Sequence, residues 1–231
     1  AAQVGATEAT RRRMLTDLSH EMRTPIATLS ATLEAVEDGV VEPTPEILDA
    51  LRQQCNRLHR LADDMRAVSA FEEGRLPITP TRVGIDNVLR AAVDAAKARY
   101  EASGVALELA AVPDAWVKVD GERIGQVLDN VLRNALQHGA SAVRVAAGVA
   151  DGWVRVDVID DGRGISDEQL PHIFERFYCG DAHRRRDEGA STGVGLTISR
   201  AIAEAHGGRL DAASEGVGRG ATVTLRLPEA S

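Results

Sequence analysis

Aromatic residues, cysteine and long apolar runs are all scarce in this sequence of 231 residues. Only 3% of the residues are aromatic and the formal net charge is −8, so the chain lacks both the stacking side chains and the basic surface that nucleic-acid binding needs. No apolar run approaches the roughly 20 residues of a membrane-spanning helix, and no signal segment opens the chain. Because it begins at Ala1 without a methionine, we expect the chain to be cut from a longer protein, whose membrane segments it would not reveal.

The two cysteines, Cys55 and Cys179, belong to no CxxC motif and to no cysteine–histidine cluster. Neither a disulfide framework nor a zinc site is therefore expected. Cys55 falls on an apolar helical seam and Cys179 falls in a predicted loop, which fits a reducing, cytoplasmic setting.

Two long helical patterns open a chain of ordinary globular composition, with 44% hydrophobic and 27% charged residues. The first covers about residues 8–38 and ends at Asp38-Gly39, and the second runs from Thr44-Pro45 to about Glu72. The short turn between them predicts an antiparallel helical hairpin. Since a lone hairpin cannot cover both of its apolar seams, we expect two chains to pair as a four-helix bundle; the alternative is a hairpin packed on its own C-terminal domain.

Residues 73–80 break this pattern and are predicted to form a hinge, after which helix and strand alternate. Helical patterns cover about 84–102, 121–138, 166–173 and 194–206, and strand patterns cover about 105–110, 115–119, 142–149, 153–159, 208–214 and 221–227. A short turn joins 142–149 to 153–159, so the sheet must be at least partly antiparallel. The predicted fold is an all-α helical hairpin followed by an α/β sandwich with a mixed sheet, and not a doubly wound nucleotide fold.

A heptad row that starts at Leu15 places His20 at the outermost position of the first helix. Glu21 lies beside it and Thr24 shares its face. An exposed imidazole with a carboxylate neighbour suits a nucleophile with a base for its second ring proton. Without other evidence, a histidine on a solvated helix face is the more ordinary interpretation.

Asn130 and Asn134 lie four residues apart in the helical pattern 121–138 and so share a face. Carboxamide oxygens are suitable ligands for a magnesium ion bound to phosphate. Surface hydrogen bonding is the alternative interpretation of this pair.

Asp160-Asp161-Gly162-Arg163-Gly164 follows an alternating strand. A carboxylate at a strand end can accept a hydrogen bond from the exocyclic amine of adenine, while the glycines allow backbone to approach the ring. A tight turn explains the same spacing.

Thr192-Gly193-Val194-Gly195-Leu196 opens the helix predicted at 194–206. Amides at a helix N-terminus can hold phosphate oxygens, helped by the helix dipole, although this segment lacks the spacing and the lysine of a P-loop. The preceding residues 178–191 are polar and include three consecutive arginines, which fits either a lid over a charged ligand or a plain surface loop.

Together and in this order, the histidine segment, the paired asparagines, the Asp-x-Gly-x-Gly segment, the glycine loop and Gly218-Arg219-Gly220-Ala221-Thr222 closely resemble the catalytic core of a two-component sensor histidine kinase. The match covers roughly residues 10–228. The resemblance implies a dimerisation and histidine phosphotransfer domain at 1–72, a hinge at 73–80, and at 81–231 an ATP-binding domain of the gyrase, Hsp90, histidine kinase and MutL type.

Carried over by motif, the resemblance implies that His20 accepts the phosphoryl group, that Glu21 is its general base and that Thr24 orients water to dephosphorylate a partner regulator. Asn134 is implied as the magnesium ligand and Asp160 as the adenine contact. The other residues implied in the nucleotide site are Asn130, which would assist around the phosphates, and His138, Gly162, Gly164, Arg176, Thr192, Gly193, Gly195 and Leu196.

Four positions depart from the family pattern. Gln137 and His138 stand where many relatives carry lysine and tyrosine, which would remove one cation near the phosphates, and Arg176 or the lid arginines would compensate. Ser191 and Thr192 stand where a glycine–threonine pair is common, which predicts a slightly stiffer lid. Neither change removes an essential group, so activity is expected.

The implied activity is ATP- and magnesium-dependent autophosphorylation of His20, followed by phosphoryl transfer to an aspartate of a response regulator, with regulator phosphatase activity as a second function. The implied partners are a second copy of the chain, through residues 1–72, and the cognate regulator; the implied parent is a membrane-anchored sensor with this part in the cytoplasm. Two alternatives stay open: an ATP-binding dimeric scaffold or phosphatase-dominant sensor with little kinase activity, and an ATP-driven clamp of the same nucleotide-binding superfamily.

Overall fold

A computed structural model describes residues 22–72, 78–175, 178 and 194–230 of the chain, with the backbone alone described at 57, 60 and 63–72. Contacts divide the chain into two compact units, Ala1–Ser69 and Ala70–Ser231. Within the described ranges, no helix combines the length and the apolar character that crossing a membrane requires.

The first unit consists of two helices joined by a short turn. Helix α1 covers residues 22–37 of the described chain, and α2 covers Pro45–Glu72. Gly39 ends α1 with a φ of 69°, a left-handed conformation that glycine adopts without steric cost. Thr44 begins α2: its carbonyl oxygen accepts from the Leu48 N–H at 3.0 Å and its Oγ1 accepts from the Ile47 N–H at 3.5 Å. The predicted end of the first helix and the predicted cap of the second are therefore confirmed.

A row of small and apolar residues along α2 is uncovered within a single chain. Leu48 is 43% exposed, and Cys55 and Ala62, which follow at seven-residue intervals, are exposed as well. On α1, Leu33 is 48% exposed. Leu61, in contrast, is fully buried. The apolar seam that the sequence predicts at Cys55 is thus an open surface of the single chain.

The second unit is an α/β domain whose helices and strands alternate along the chain. Its elements are β1 Thr81–Gly84, α3 Ile85–Ala102, β2 Ala106–Leu109, β3 Trp116–Val119, α4 Gly121–Gln137, β4 Ala142–Ala150, β5 Trp153–Asp160, α5 Gly195–Ala205, β6 Arg209–Ala213 and β7 Ala221–Pro228. Strands β1 and β3 pair as a small antiparallel sheet, and the other five form the main sheet.

The main sheet has the strand order β2-β4-β5-β7-β6 and mixes directions. Strands β2 and β4 are parallel, whereas the other neighbours are antiparallel. Asp151 and Gly152 connect β4 to β5 with φ values of 53° and 75°, as a two-residue turn with both central residues left-handed requires. The prediction of a helical region followed by an α/β domain with a mixed, partly antiparallel sheet is confirmed.

Helix α4 is central to this domain. It contacts α3, α5 and strands β4 and β5. Its buried residues recur with the helical period, and they are Ile124, Val127, Leu128, Asn130, Val131, Leu132 and Ala135. On β5, Val154, Val156 and Val158 are buried at every second position, because alternate side chains of a strand point to the same face. Matching periodicities thus bring the apolar side of α4 onto the sheet.

Two segments differ from the sequence predictions. Strand β1 lies between the predicted hinge and the predicted helix, where the sequence predicts no strand, because four residues are too few to establish an alternation. The helix predicted at 166–173 is wrong: the segment forms turns and a 3₁₀ helix at Leu170–His172. Pro171 has no N–H with which to continue an α-helical ladder.

A buried histidine connects the end of α5 to the start of α4. His206 is 8% exposed; its Nδ1 donates to the Ile202 carbonyl oxygen at 2.7 Å and its Nε2 accepts from the Asp120 N–H at 3.0 Å. The Asp120 carboxylate in turn accepts from the N–H groups of Arg123, at 3.2 Å, and Thr79, at 3.0 Å. One histidine therefore supports the cap of α4 and the segment that enters the domain.

A His206→Leu substitution is expected to lower the free energy of unfolding of the α/β unit by about 1 to 3 kcal/mol, because the Asp120 N–H would lose its acceptor. Urea denaturation followed by tryptophan fluorescence measures this, since both tryptophans, Trp116 and Trp153, lie in this unit. His172→Leu, at a side chain that is 49% exposed, is the matched control and should change the value by less than about 0.5 kcal/mol. Equal stabilities of the two variants would contradict the assigned role.

Candidate functional site

Several residues predicted to be functional fall outside the described ranges, so the structure does not place them. These are His20, Glu21, Arg176, Thr192 and Gly193, together with Cys179. Thr24 is described: its side chain is exposed on α1, and its carbonyl oxygen accepts from Thr28 Oγ1 at 3.1 Å. The exposed position leaves the Thr24 hydroxyl open to a partner molecule.

Helix α4 carries three predicted site residues on one face, because Asn130, Asn134 and His138 follow one another at four-residue intervals. Asn130 is buried, with 8% of its surface exposed, while Asn134 is half-buried. The Asn134 amide makes no hydrogen bond to any group in the part of the chain that the structure describes. It is therefore available to a ligand.

The Asn130 amide joins α4 to the first turns of α5. Its Nδ2 donates to the Gly195 carbonyl oxygen and to Ser199 Oγ, each at 3.3 Å. Its Oδ1 accepts from Nη2 of Arg133. Asn130 thus lies at the predicted site, but both ends of its amide bind protein groups.

The C-terminal end of α4 meets the loop that follows β5. The His138 carbonyl oxygen accepts from the Arg163 N–H at 3.0 Å. The His138 ring is largely buried, and its Nδ1 has no hydrogen-bond partner within the described ranges. Burial lowers the pKa of His138 from 6.5 to about 4, with the positive charge of Arg163 acting in the same direction. The ring is therefore neutral at pH 7.

Asp160 ends β5 as a half-buried carboxylate beside this loop. Its Oδ1 accepts from the Gly162 N–H at 2.9 Å. Burial raises the pKa of Asp160, and hydrogen bonds from the backbone N–H groups of Gly162 and Ala221 offset only part of that effect. A half-buried carboxylate that is held in place in this way can accept a further hydrogen bond from a ligand amine.

The adjacent Asp161 has a different environment. Its Oδ1 accepts from the N–H groups of Ser141, at 2.7 Å, and Ala142, at 2.9 Å, and its Oδ2 accepts from the Ser141 hydroxyl. These hydrogen bonds lower the pKa of Asp161 to about 2. Asp161 therefore fixes the start of β4, whereas Asp160 accepts a hydrogen bond within the loop, from the Gly162 N–H.

Gly162 and Gly164 are needed for contacts within the protein itself. A Cβ at position 162 would lie 2.8 Å from the His138 carbonyl oxygen. Gly164 has a φ of 68°, and a Cβ there would overlap the Gly216 carbonyl oxygen. The tight-turn interpretation of the Asp-x-Gly-x-Gly segment thus holds together with the site interpretation, since the same glycines bring the loop against α4.

Ser214, which sequence reasoning missed, ties this loop to the β6–β7 connection. Its Oγ accepts from the Ile165 N–H at 3.0 Å and donates to the Gly220 carbonyl oxygen at 2.6 Å. Gly220 is close to the loop as well, because its N–H donates to the Gly162 carbonyl oxygen at 3.0 Å. The only nearby sequence signal is the last glycine motif, at residues 218–222. It indicates Gly218 and Gly220 as site residues, and it gives no indication of Ser214, six residues before Gly220.

The first turn of α5 has no side-chain cap at Val194, so the N–H groups of Gly195 and Leu196 have no side-chain acceptor there. A few residues on, Thr197 Oγ1 donates to the Phe174 carbonyl oxygen at 3.0 Å, and the Arg200 guanidinium lies 5.2 Å from the centre of the Phe174 ring. These contacts join residue 174 to α5. Among the described residues, the amides of Gly195 and Leu196 thus have no acceptor, and the Thr197 and Arg200 contacts fix the start of α5.

Comparison with known proteins follows the two units of the chain. The family described as "His Kinase A (phospho-acceptor) domain" matches residues 10–74, and the family described as "Histidine kinase-, DNA gyrase B-, and HSP90-like ATPase" matches residues 119–231. The fold agrees with these matches, because an α/β domain with a mixed sheet follows a helical segment along the chain. Together they define the catalytic core of a protein-histidine kinase. The chain belongs to the two-component sensor histidine kinases.

Individual relatives agree with this assignment. The chain is 37% identical to the signal transduction histidine-protein kinase BaeS of Escherichia coli K12, over 94% of this chain and 47% of BaeS. The solved structure of Acinetobacter baumannii histidine kinase AdeS superposes with a TM-score of 0.75 at 25% identity, covering 92% of this chain and 98% of the AdeS chain in that structure. Full-length ShkA in complex with AMPPNP gives a TM-score of 0.69 at 26% identity, covering 95% of this chain and 46% of ShkA. The chain thus spans about half the length of BaeS and of ShkA.

The low pKa of His138 predicts a pH-dependent stability. A histidine with a pKa of about 4 when folded and 6.5 when unfolded contributes stability that is complete above pH 6.5 and lost as the pH falls towards 4. In His138→Phe, the loss of unfolding free energy between pH 6.5 and 4 should be smaller than in the wild type by up to about 3 kcal/mol. Urea denaturation at several pH values measures the difference, and an unchanged pH dependence in His138→Phe would count against the buried, neutral ring.

Proposed function

We propose that this chain transfers the γ-phosphoryl group of ATP to its own His20 and from there to an aspartate of a response regulator. The observation that supports this best is the convergence of three motifs on α4. Asn130 contacts the start of α5, the His138 carbonyl oxygen contacts the Asp160–Gly164 loop, and Asn134 lies on the same face between them. Such a site has separate places for a base, a polyphosphate and a cation.

In this proposal the two ends of ATP bind at different elements. Asp160 accepts a hydrogen bond from the exocyclic amine of adenine, with Gly162 and Gly164 shaping the pocket. The open amides at Gly195 and Leu196 hold phosphate oxygens, where the dipole of α5 favours negative charge. The complex of ShkA with AMPPNP, a neighbour at 26% identity, supports a nucleotide at this fold.

Asn134 fits a magnesium ion that is shared with the nucleotide. Its amide oxygen is a hard ligand with no competing hydrogen bond among the described groups, and the described residues include no cluster of three or more histidine, cysteine, aspartate or glutamate side chains able to hold a metal. Magnesium ordinarily takes one or two protein ligands and completes its shell with phosphate oxygens and water, so one amide is sufficient. When bound, the ion neutralises charge on the phosphates.

The chemistry at the first unit is a phosphoryl transfer in two steps. A ring nitrogen of His20 attacks the γ-phosphorus, the bond to the β–γ bridging oxygen breaks, ADP leaves, and Glu21 takes the proton from the other ring nitrogen. The phosphohistidine then gives its phosphoryl group to the regulator aspartate. Both residues lie outside the described ranges, so these roles are supported by the motif and by the match to the phospho-acceptor family.

A second copy of the chain is the partner that fits the helical unit. The row Leu48, Cys55 and Ala62, exposed in one chain, is of the kind that a four-helix bundle buries. The exposed Thr24 would orient the water that dephosphorylates the regulator.

The division of labour follows the two units. We propose a dimerisation and phosphotransfer domain at 1–72, a hinge at 73–80 and an ATP-binding domain at 81–231, which the division after Ser69 supports to within a few residues. Use of ATP favours a cytoplasmic location for this part. A membrane-anchored parent stays a prediction.

Incubation of the chain with [γ-³²P]ATP and magnesium should produce a protein label that is stable in alkali and labile in acid, as expected for phosphohistidine. His20→Gln should bind nucleotide with unchanged affinity and carry no label. Label that survives acid, on serine or threonine, would overturn the proposal, and so would nucleotide binding by a folded wild-type dimer that never becomes labelled.

The two adjacent aspartates provide a matched test of the adenine site. Asp160→Asn should weaken binding of AMPPNP about 10- to 100-fold, because a hydrogen bond to a charged group contributes about 1.5 to 3 kcal/mol. Asp161→Asn changes the same atoms one residue away and should leave the affinity within about threefold, since Asp161 binds Ser141 and Ala142. Isothermal titration calorimetry measures both, and equal losses in the two variants would argue against Asp160 as the base-recognising group.

A further inference from the structure

We infer that Asn130 is a positioning residue that fastens α4 to α5, and not a ligand of the nucleotide or of its cation. This inference rests on the proposed function, because it assigns a task to one residue of the proposed site. Three observations support it: the side chain is 8% exposed, its Nδ2 has two acceptors on α5, and its Oδ1 has a donor on α4.

The orientation of the Asn130 amide is determined by its partners. A guanidinium can only donate hydrogen bonds, so the atom that faces Arg133 must be the oxygen. A backbone carbonyl can only accept, so the atom that faces Gly195 must be the nitrogen. Rotating the amide by 180° would place its NH₂ group against the Arg133 guanidinium, donor against donor, and its oxygen against the Gly195 carbonyl oxygen, acceptor against acceptor. The amide oxygen therefore faces the Arg133 guanidinium, a position that a magnesium ligand would not share with a positive charge.

Arg133 is itself held by a chain of charged side chains that reaches α3. Its Nη2 lies 3.5 Å from Asp129 Oδ2, and Asp129 Oδ1 accepts from Arg99 Nη1 at 2.6 Å. Arg133 and Arg99 are each about one-third exposed, so the network is partly screened from solvent. Because Asp129 faces both arginines, it limits where the Arg133 guanidinium can lie and so fixes the Asn130 amide.

The geometric consequence concerns the distance between two parts of the proposed site. Asn134 is one helical turn beyond Asn130 on α4, and Gly195 is the first residue of α5. A hydrogen bond from Asn130 to the Gly195 carbonyl oxygen therefore sets the cation ligand against the amides that would hold phosphate. Ser199, fully buried one turn further along α5, provides the second attachment and prevents rotation about the first.

An aspartate at position 130 separates the two roles. A carboxylate is at least as good a magnesium ligand as an amide, so a direct ligand would tolerate Asn130→Asp. A carboxylate has no N–H to donate, so it would face the Gly195 carbonyl oxygen without a hydrogen bond, whereas the Ser199 hydroxyl could turn and donate to it. The same substitution should thus preserve a metal site and break the attachment of α4 to the Gly195 carbonyl oxygen.

The experiment compares the affinity for AMPPNP in excess magnesium with the affinity in EDTA, by calorimetry on the full chain. We expect the ratio of the affinity in magnesium to the affinity in EDTA to fall about tenfold or more in Asn130→Asp, Ser199→Ala and Arg133→Met. Loss of a residue that orients a metal ligand without binding the metal has an effect of this size. Arg133→Lys keeps a donor and a charge and should stay within about threefold of the wild type. If Arg133 acted only through its positive charge, its loss would weaken binding of the metal-free nucleotide most, because that nucleotide carries the larger negative charge. The affinity ratio would then rise.

A second measurement needs no nucleotide. In the free protein, the side-chain NH₂ of Asn130 should give a resonance with slowed hydrogen exchange, and Ser199→Ala or Arg133→Met should abolish the protection while Arg133→Lys retains it. A wild-type or higher affinity ratio in Asn130→Asp would overturn the inference, and so would an unprotected Asn130 amide in the free wild-type chain. Failure of the proposed function would look different, since a chain that neither binds AMPPNP nor labels His20 can still show the protected amide.

Discussion

The structure of the candidate site depends on how closely the loop after β5 approaches the end of α4. The loop can reach the His138 carbonyl oxygen only because residue 162 has no side chain, and the Arg163 N–H then satisfies that carbonyl. A helix leaves its last carbonyl groups without partners, and this contact gives one to the carbonyl at the C-cap of α4. The same contact holds the loop that begins with Asp160 and Asp161 against the end of the helix.

Helix α4 transmits this constraint to the rest of the domain. At one end the Asp120 carboxylate caps it, and His206 supports that cap. In the middle, its apolar face covers the sheet while Asn130 reaches α5. Because a regular helix has a fixed rise per residue, the spacing of groups along α4 becomes the spacing of the elements that bind to them. The first turn of α5 and the loop after β5, the proposed phosphate and adenine contacts, are therefore positioned by one rigid element.

Much of this arrangement can be predicted from the sequence, and the exceptions have physical causes. Periodicity identifies α4 and β5 because each is long enough to repeat its pattern, and the four-residue interval from Asn130 to Asn134 is enough to place both on one face. Strand β1 is too short for a pattern, and its pairing with β3 is a tertiary contact that leaves no local signal. Ser214 is one polar residue in a turn, and its function exists only because Ile165 is brought beside it by folding. The three-residue interval from Asn130 to Arg133 also makes these side chains neighbours on α4, but nothing in the sequence shows which end of the Asn130 amide meets the guanidinium.

The Ser214 hydroxyl has a consequence for the thermodynamics of ligand recognition. By joining Ile165 to the β6–β7 connection, it orders the loop after β5 in the free chain. The entropy lost in ordering that loop belongs to folding and not to association, so a base that binds there as proposed would not have to order the loop. Association at this end of the site should therefore approach rigid docking, with a small conformational entropy penalty and little dependence of the on-rate on loop motion.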